Sequence, residues 1–245
     1  MATGPTIQIR RLEATEVGDA VEVLSRAFQE DPGAVIVEPD PSRRPGATAA
    51  LFAPVVRWAM PFGHVSAAVA DGQVIGVATF VPPGHDTPTE EELDASGLQA
   101  AVAAVPDAAA RMSTMVEFLE DQHARAISGP HWRLEFYGVD PAHQGTGVGS
   151  RLIATGHEAA DAAGERVWLE TFTIENVRFY ERRGYRVAIE GVVPGSDFTL
   201  WGMVRDPQPV PWRTSEGMSD ALRAQRSVGV QPRQPYQGSI PLEAS

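Results

Sequence analysis

Three glycines at every second position, Gly145, Gly147 and Gly149, follow an apolar segment and open an amphipathic one. The stretch reads Tyr137-Gly-Val-Asp-Pro-Ala-His-Gln-Gly-Thr-Gly-Val-Gly-Ser150. Its order is a strand, a turn at Asp140-Pro141 and then the first turn of a helix. The first turn of a helix has backbone N–H groups without intrahelical partners, and the helix dipole adds partial positive charge there. Glycines let an anion come close to that backbone. The pattern therefore predicts an anion cradle that needs no basic side chain. A dinucleotide fingerprint would want Gly-x-Gly-x-x-Gly, and a phosphate loop would want Gly-Lys-Ser/Thr; the spacing here is different and the chain has no lysine.

Strand and helix periods alternate on both sides of the cradle. Thr6–Leu12 alternates as a strand, and Thr15–Gln29 follows with an apolar helical face. Asp31–Pro45 carries four prolines and reads as a loop, then Ala47–Met60 reads as a second helix. His64–Ala70 and Gln73–Val81 form a hairpin about Asp71-Gly72. Thr87–Ile127 reads as helix, with a capped start at Thr89–Glu92 and an interruption at Pro106. Trp132–Val139 and Arg166–Thr171 are predicted strands, with the helix Gly147–Ala163 between them. A helix at Ile174–Arg183 and strands at Tyr185–Val192 and Phe198–Val204 complete the pattern. From residue 206 to 245 the composition shifts to Pro, Gln, Gly, Ser and Arg. This tail reads as disordered or as an interaction arm, set apart from one domain over residues 1–205.

Composition narrows the chemistry. With no cysteine there is neither a disulfide framework nor a thiolate metal site nor a cysteine nucleophile. His64, His85, His123, His131 and His157 lack metal-ligand spacing, so no metal is expected. A net charge of -12 disfavours nucleic acid as a partner. No apolar run reaches the ~20 residues that span a bilayer, and the first residues lack the order of a signal peptide. A cytoplasmic address follows by default.

Gln144-x-x-Gly-x-Gly149 after a strand resembles the acetyl-CoA signature of the GNAT N-acetyltransferase superfamily. Leu169-Glu-Thr-Phe-Thr-Ile-Glu-Asn-Val-Arg-Phe-Tyr-Glu-Arg-Arg-Gly-Tyr185 resembles that superfamily's segment ending in Phe-Tyr-Glu-x-x-Gly-Phe. The Asn176-to-Tyr180 spacing, the helical insert between Val81 and Trp132 and the last strand Thr199–Val204 are similar to the puromycin N-acetyltransferase branch. The resemblance spans about residues 6–206. It implies an α/β (α+β) fold: a mixed, mostly antiparallel twisted sheet of six to seven strands, splayed in the middle and flanked by helices. Acetyl-CoA would be the cosubstrate. Its pantetheine arm would pair with Tyr137, Gly138 and Val139 like an added strand. Its pyrophosphate would sit on the amides of Gln144, Gly145, Thr146, Gly147, Val148, Gly149 and Ser150.

The implied reaction is attack of a neutral amine on a thioester, in a ternary complex where proximity supplies much of the rate. A thiol with pKa about 8.5 and a tyrosine with pKa about 10 are closely matched, so Tyr180 is the candidate general acid; the residue also reads as a packing aromatic beside Phe179. Asn176, one helical turn earlier, is a candidate for holding the pantetheine amides or capping the helix. Glu170 and Glu135 are candidate bases, with Glu170 preferred. Asp140 reads as a turn cap and His143 as solvated. Arg151, Arg182 and Arg183 read as helix-face residues or phosphate partners, and Trp58, Phe62 and Trp132 as core or acceptor-pocket residues. The expected partner is an amine acceptor, on a small molecule or on a protein or peptide; a silent acyl-CoA-binding module is the competing class. A dimer is the commonest symmetric assembly.

Overall fold

A computed structural model describes residues 6–85 and 87–209. Seven strands form one sheet: β1 (Gln8–Arg11), β2 (Val65–Ala70), β3 (Gln73–Val81), β4 (His131–Val139), β5 (Arg166–Thr171), β6 (Tyr185–Val192) and β7 (Thr199–Arg205). Their spatial order is β1-β2-β3-β4-β5-β7-β6. Every neighbouring pair is antiparallel except β4 and β5. Asp71 and Gly72 both take positive φ, at 50° and 79°, as the expected two-residue hairpin requires.

Among the described residues eight α-helices flank the sheet: α1 (Val17–Ala27), α2 (Pro32–Val37), α3 (Arg44–Ala59), α4 (Glu90–Ser96), α5 (Leu98–Ala104), α6 (Pro106–Ala126), α7 (Val148–Ala163) and α8 (Ile174–Glu181). Val21, Leu24, Phe52 and Val56 pack α1 and α3 onto one face of β2 and β3. Leu152, Ile153 and Ala160 of α7 pack with Ala78 and Phe80 on the other. Burial on both faces explains why β2 and most of β3 are apolar runs rather than alternations.

The structure corrects one reading and bears out another. The Asp31–Pro45 segment is not all loop. Asp31 accepts a hydrogen bond from the Gly33 N–H at 2.9 Å and caps α2, with Pro32 in its first turn. Pro45 sits in the first turn of α3. Proline costs nothing there, because those N–H groups have no helical partner anyway. The helical insert, expected in two or more pieces with a break at Pro106, is three. The Thr89–Glu92 capping box starts α4, Gly97 at φ 83° ends it, and Pro106 opens α6. Beyond β7, the Gln208 N–H meets Asp161 of α7 at 2.8 Å; the rest of the expected tail, from residue 210, lies outside the described residues.

Two irregularities open the middle of the sheet. Strands β4 and β5 pair only from His131↔Arg166 to Arg133↔Trp168. Beyond Arg133 they diverge, although β4 runs on to Val139 and β5 to Thr171. In the same stretch the β3–β4 register slips. Thr79 faces Phe136 and Phe80 faces Leu134, so Glu135 is skipped. Such a bulge re-aims side chains by breaking the two-residue alternation.

Candidate active site

The strand, the turn and the helix start that carry the expected cradle form where the sequence places them. Asp140 accepts from the Ala142 N–H at 2.9 Å, and Arg26 of α1 grips its other oxygen at 2.8 Å. Gly145 and Gly147 hold φ of 74° and 84°, and a Cβ at either would project into open space. Gly149 is different: a Cβ there would lie 2.1 Å from the Tyr137 hydroxyl. No side chain caps Gly147, so the first-turn N–H groups of α7 face the cavity alongside it. This donor set fits an anionic diphosphate. Gln144 is engaged otherwise: its side-chain amide donates to the Val139 carbonyl at 3.0 Å and ties the turn back to β4. Thr146 donates to the His143 carbonyl at 2.7 Å.

A cavity of ≈490 Å³ runs from this cradle along Tyr137, Gly138 and Val139 to Asn176 and Tyr180. It lies beside the diverging end of β4, whose backbone has left β5. Phe179 stacks on Tyr137 with centroids 5.7 Å apart, and the Arg183 guanidinium carbon lies 3.4 Å from the Phe179 ring centroid. Arg183 also donates to the Ser150 hydroxyl, joining α8 to the start of α7. Asn176 is not the cap of α8. Thr173 is, accepting from the Asn176 N–H at 3.3 Å, and Asn176 faces the cavity. His143 lines the cradle end.

A second cavity, of ≈220 Å³, lies on the other side of Tyr180. Its walls come from α2, α3, α6 and the separated ends of β4 and β5. Arg133, Leu134, Glu135, Phe136 and Tyr137 all line it, along the stretch that carries the bulge at Glu135. Trp58, Phe62 and Trp132 do not line it; Trp58 packs edge-on to Phe62, and Trp132 to His64. The two cavities share Phe28, Asp31, Tyr137, Asn176 and Tyr180.

Both candidate bases face the second cavity, around Arg133. Its guanidinium lies 2.7 Å from Glu120, 3.2 Å from Glu135 and 3.8 Å from Glu170. Burial opposes the charge on Arg133, but the carboxylates outweigh it and hold the group protonated. Glu170 is buried, which pushes its carboxyl up; Arg133 and the indole N–H of Trp168 pull the other way. Glu120 feels burial too, yet His123 and Arg133 hold it down at about 2. His123 is fixed in turn. His131 Nδ1 lies 2.7 Å from the Gly129 carbonyl, which can only accept. So His131 Nε2 accepts from His123 Nε2 at 2.7 Å, and His123 Nδ1 is left facing Glu120 at 3.6 Å.

Burial raises the Tyr180 phenol well above its usual value, and Tyr137 and Asp31 add to the rise. The phenol is therefore held protonated where the two cavities meet, and the close match to a thiol expected from the free values is lost. Asp31 is the residue that sequence reasoning missed. Burial pushes its carboxyl up to about 6, against the Gly33 and Ala34 N–H groups that hold the charged form. The signal was present in Asp31-Pro32: an N-cap residue followed by proline marks a helix start. Four prolines concealed it.

The open sheet thus splits at its parallel pair, with the start of α7 on one side of the split and the carboxylates around Arg133 on the other. Residues 36–185 match the family model described as the Acetyltransferase (GNAT) family. The chain belongs to that family of acetyltransferases. Solved structures with the same fold include an acetyltransferase from Corynebacterium glutamicum described as histone acetyltransferase HPA2 and related acetyltransferase. It has 21% identity and a TM-score of 0.55, covering 85% of this chain and 99% of that one. Arylalkylamine N-acetyltransferase 2 from Aedes aegypti has 16% identity and a TM-score of 0.55, covering 83% and 100%. The polyamine N-acetyltransferase of Drosophila melanogaster has 16% identity and a TM-score of 0.53, covering 82% and 100%. Among the described residues no helix is long and apolar enough to cross a membrane.

Proposed function

We propose that this chain transfers an acetyl group from acetyl-CoA directly to a primary amine of a small molecule, in a cytoplasmic setting. The observation that carries the reading is the junction: Asp31, Asn176 and Tyr180 line both the cavity beside the cradle and the acid-lined cavity. Within the superfamily, the Leu169–Tyr185 segment and the helical insert favour the puromycin N-acetyltransferase-like branch.

Acetyl-CoA supplies the activated acyl group, and the chain's residues do the rest. The first-turn amides of α7 would bind the diphosphate, while the edge of Tyr137–Val139 that does not pair with β5 and the Asn176 side chain would align the pantetheine. Asp31 takes one proton from the ammonium. The freed nitrogen forms its bond to the thioester carbon as the C–S bond breaks. Tyr180 donates to the departing thiolate, and the second proton shed by the nitrogen reloads the phenol. The products are the N-acetylamine and the free thiol, with one proton passing from Asp31 to water. Its raised value suits Asp31 to this task, since a base works best when poised near the operating pH. Glu170 and Glu135 set the charge of the acceptor cavity from beside Arg133.

The test combines melting curves with thiol release. Acetyl-CoA should raise Tm by mass action and NAD should not. Tyr180→Phe should lower kcat by about 10²–10³-fold and keep the acetyl-CoA shift, because only a hydroxyl is lost. Equal stabilisation by NAD, or unchanged kcat in Tyr180→Phe, would overturn the reading.

A further inference from the structure

We infer that His123 is a positioning residue for Arg133: acting through Glu120, the proton on its Nδ1 sets which carboxylates of the second cavity the guanidinium holds. The consequence for the reaction rests on acetyl transfer as the activity; the pairing itself does not.

His123, in the last turn of α6, and His131, at the start of β4, are both buried. Their hydrogen bonds leave one place for a further proton. His131 Nδ1 donates to the Gly129 carbonyl at 2.7 Å, and a single proton fills the 2.7 Å gap between the two Nε2 atoms. A second proton in that gap would set N–H against N–H. The next proton therefore goes on His123 Nδ1, which faces Glu120 at 3.6 Å, whichever ring then carries the charge.

The surroundings single out Glu120. Asp121 and Arg125 of α6 lie on its exposed side and pair with each other at 3.5 Å. Strand β4 adds Arg133, on the far side of Glu120. Strand β5 adds Trp168, its ring 5.1 Å from that of His123, and the charge of Glu170 beyond it. Arg166, level with His131 in register, donates to the Ser128 carbonyl. Strands β6 and β7 bring Ala188, Ile189 and Val204 around Trp168, and none of these titrates.

Glu120 stands between two donors only while Nδ1 is protonated. One of its oxygens accepts from Arg133 at 2.7 Å, and the other faces the ring. With the proton in place both oxygens accept, and Glu120 is fixed on Arg133. Without it a lone pair faces the carboxylate, and Glu120, with a side chain 49% exposed, has water to turn to. The Arg133 side chain is only 9% exposed, and a guanidinium so enclosed keeps a carboxylate because an unpaired buried charge is costly. It leans on Glu135 and Glu170, now at 3.2 and 3.8 Å. Rising pH thus passes the guanidinium from Glu120 toward Glu170. Burial pushes the Glu170 carboxyl up, and a closer Arg133 holds it ionised instead.

The experiment records ¹⁵N–¹H spectra of the imidazole and guanidinium nitrogens in the full chain without ligand. The range is about pH 5 to 8, where imidazoles titrate. His131 Nδ1 should carry its proton throughout. His123 Nδ1 should lose its proton as pH rises, and the Arg133 Nε resonance should shift with the same midpoint. His123→Gln keeps an N–H for His131 but has nothing to titrate, so it should abolish the Arg133 shift. Glu120→Gln, at a half-exposed position, should abolish that shift while His123 still titrates. An Arg133 resonance that follows pH in either variant as in the wild type, or a His123 Nδ1 that never changes state, would overturn the inference and leave acetyl transfer standing.

Discussion

Asp31 shows what a single side chain gives up for its position. It is an effective cap for α2, yet burial lifts its carboxyl from 3.8 to about 6. A carboxyl raised in the folded state loses stability as it ionises. The penalty is absent below about pH 4, grows through pH 6 and is complete at pH 7. Asp31→Asn keeps the cap and removes the charge. At pH 7 it should stabilise the protein by about 2 kcal/mol, or roughly 4–8 °C in Tm, and the gain should vanish near pH 4. The same change should cut kcat/KM by at least about 100-fold and remove an acidic limb near pH 6. A limb that survives in Asp31→Asn and disappears in Glu170→Gln would move the base to Glu170. Glu135 was legible as a charge inside a strand, where burial demands a partner, and Glu170 as a charge at a strand end. The partner, Arg133, was in plain sight two residues from Glu135. That Glu120 and Glu170 converge on it depends on α6 and β5, which no local pattern brings together.

The elements around Asp31 are held by buried hydrogen bonds rather than by apolar contact alone. Arg44, in the first turn of α3, is buried and donates to the carbonyls of Gln29, Glu38 and Pro39 at 2.6, 2.8 and 2.9 Å. Arg111 of α6 adds a bond to the Val37 carbonyl at 2.7 Å. Three carbonyls from an irregular segment thus share one planar donor, which fixes both ends of α2. Arg44→Leu would leave them unpaired in the interior, at about 2–4 kcal/mol in total. Denaturant melts should show that loss, and kcat/KM should fall because Asp31 shifts. Unchanged kcat/KM would mean that α2 keeps its place without Arg44. The bulge in β4 works at the same scale: one skipped residue shifts the register just where the strand passes along the second cavity.

At the scale of the whole molecule, the split between β4 and β5 requires that β5 be held from its other side. Strand β7 does this, pairing with β5 along Val167–Thr171. Its last residue, Arg205, is buried and grips Asp161 of α7 through two bonds of 2.6 and 2.8 Å. Burial works against the Asp161 charge, but Arg205 and the Gln208 N–H outweigh it and hold the carboxyl below its usual value. A depressed carboxyl stabilises above its unfolded pKa and loses that contribution as pH falls through its folded value. Asp161→Asn should therefore lower stability by about 3 kcal/mol at pH 7, and the difference from wild type should shrink below about pH 4. A constant difference across pH would assign the effect to packing instead of charge.

The strand and helix periods, the Asp71-Gly72 hairpin, the capping box at Thr89 and the cradle at Gly145–Gly149 all follow from residues close together in the chain. Their physics is local: backbone sterics, capping and helix ends act over a few residues. That is why the sheet's strands and the cradle were legible before any fold was known. The register slip at Glu135, the loss of pairing beyond Arg133, the carboxylates gathered on one guanidinium and the burial that shifts Asp31 were decided only by the tertiary structure. Desolvation and long-range charge depend on which distant elements close over a group, and a linear pattern does not carry that information.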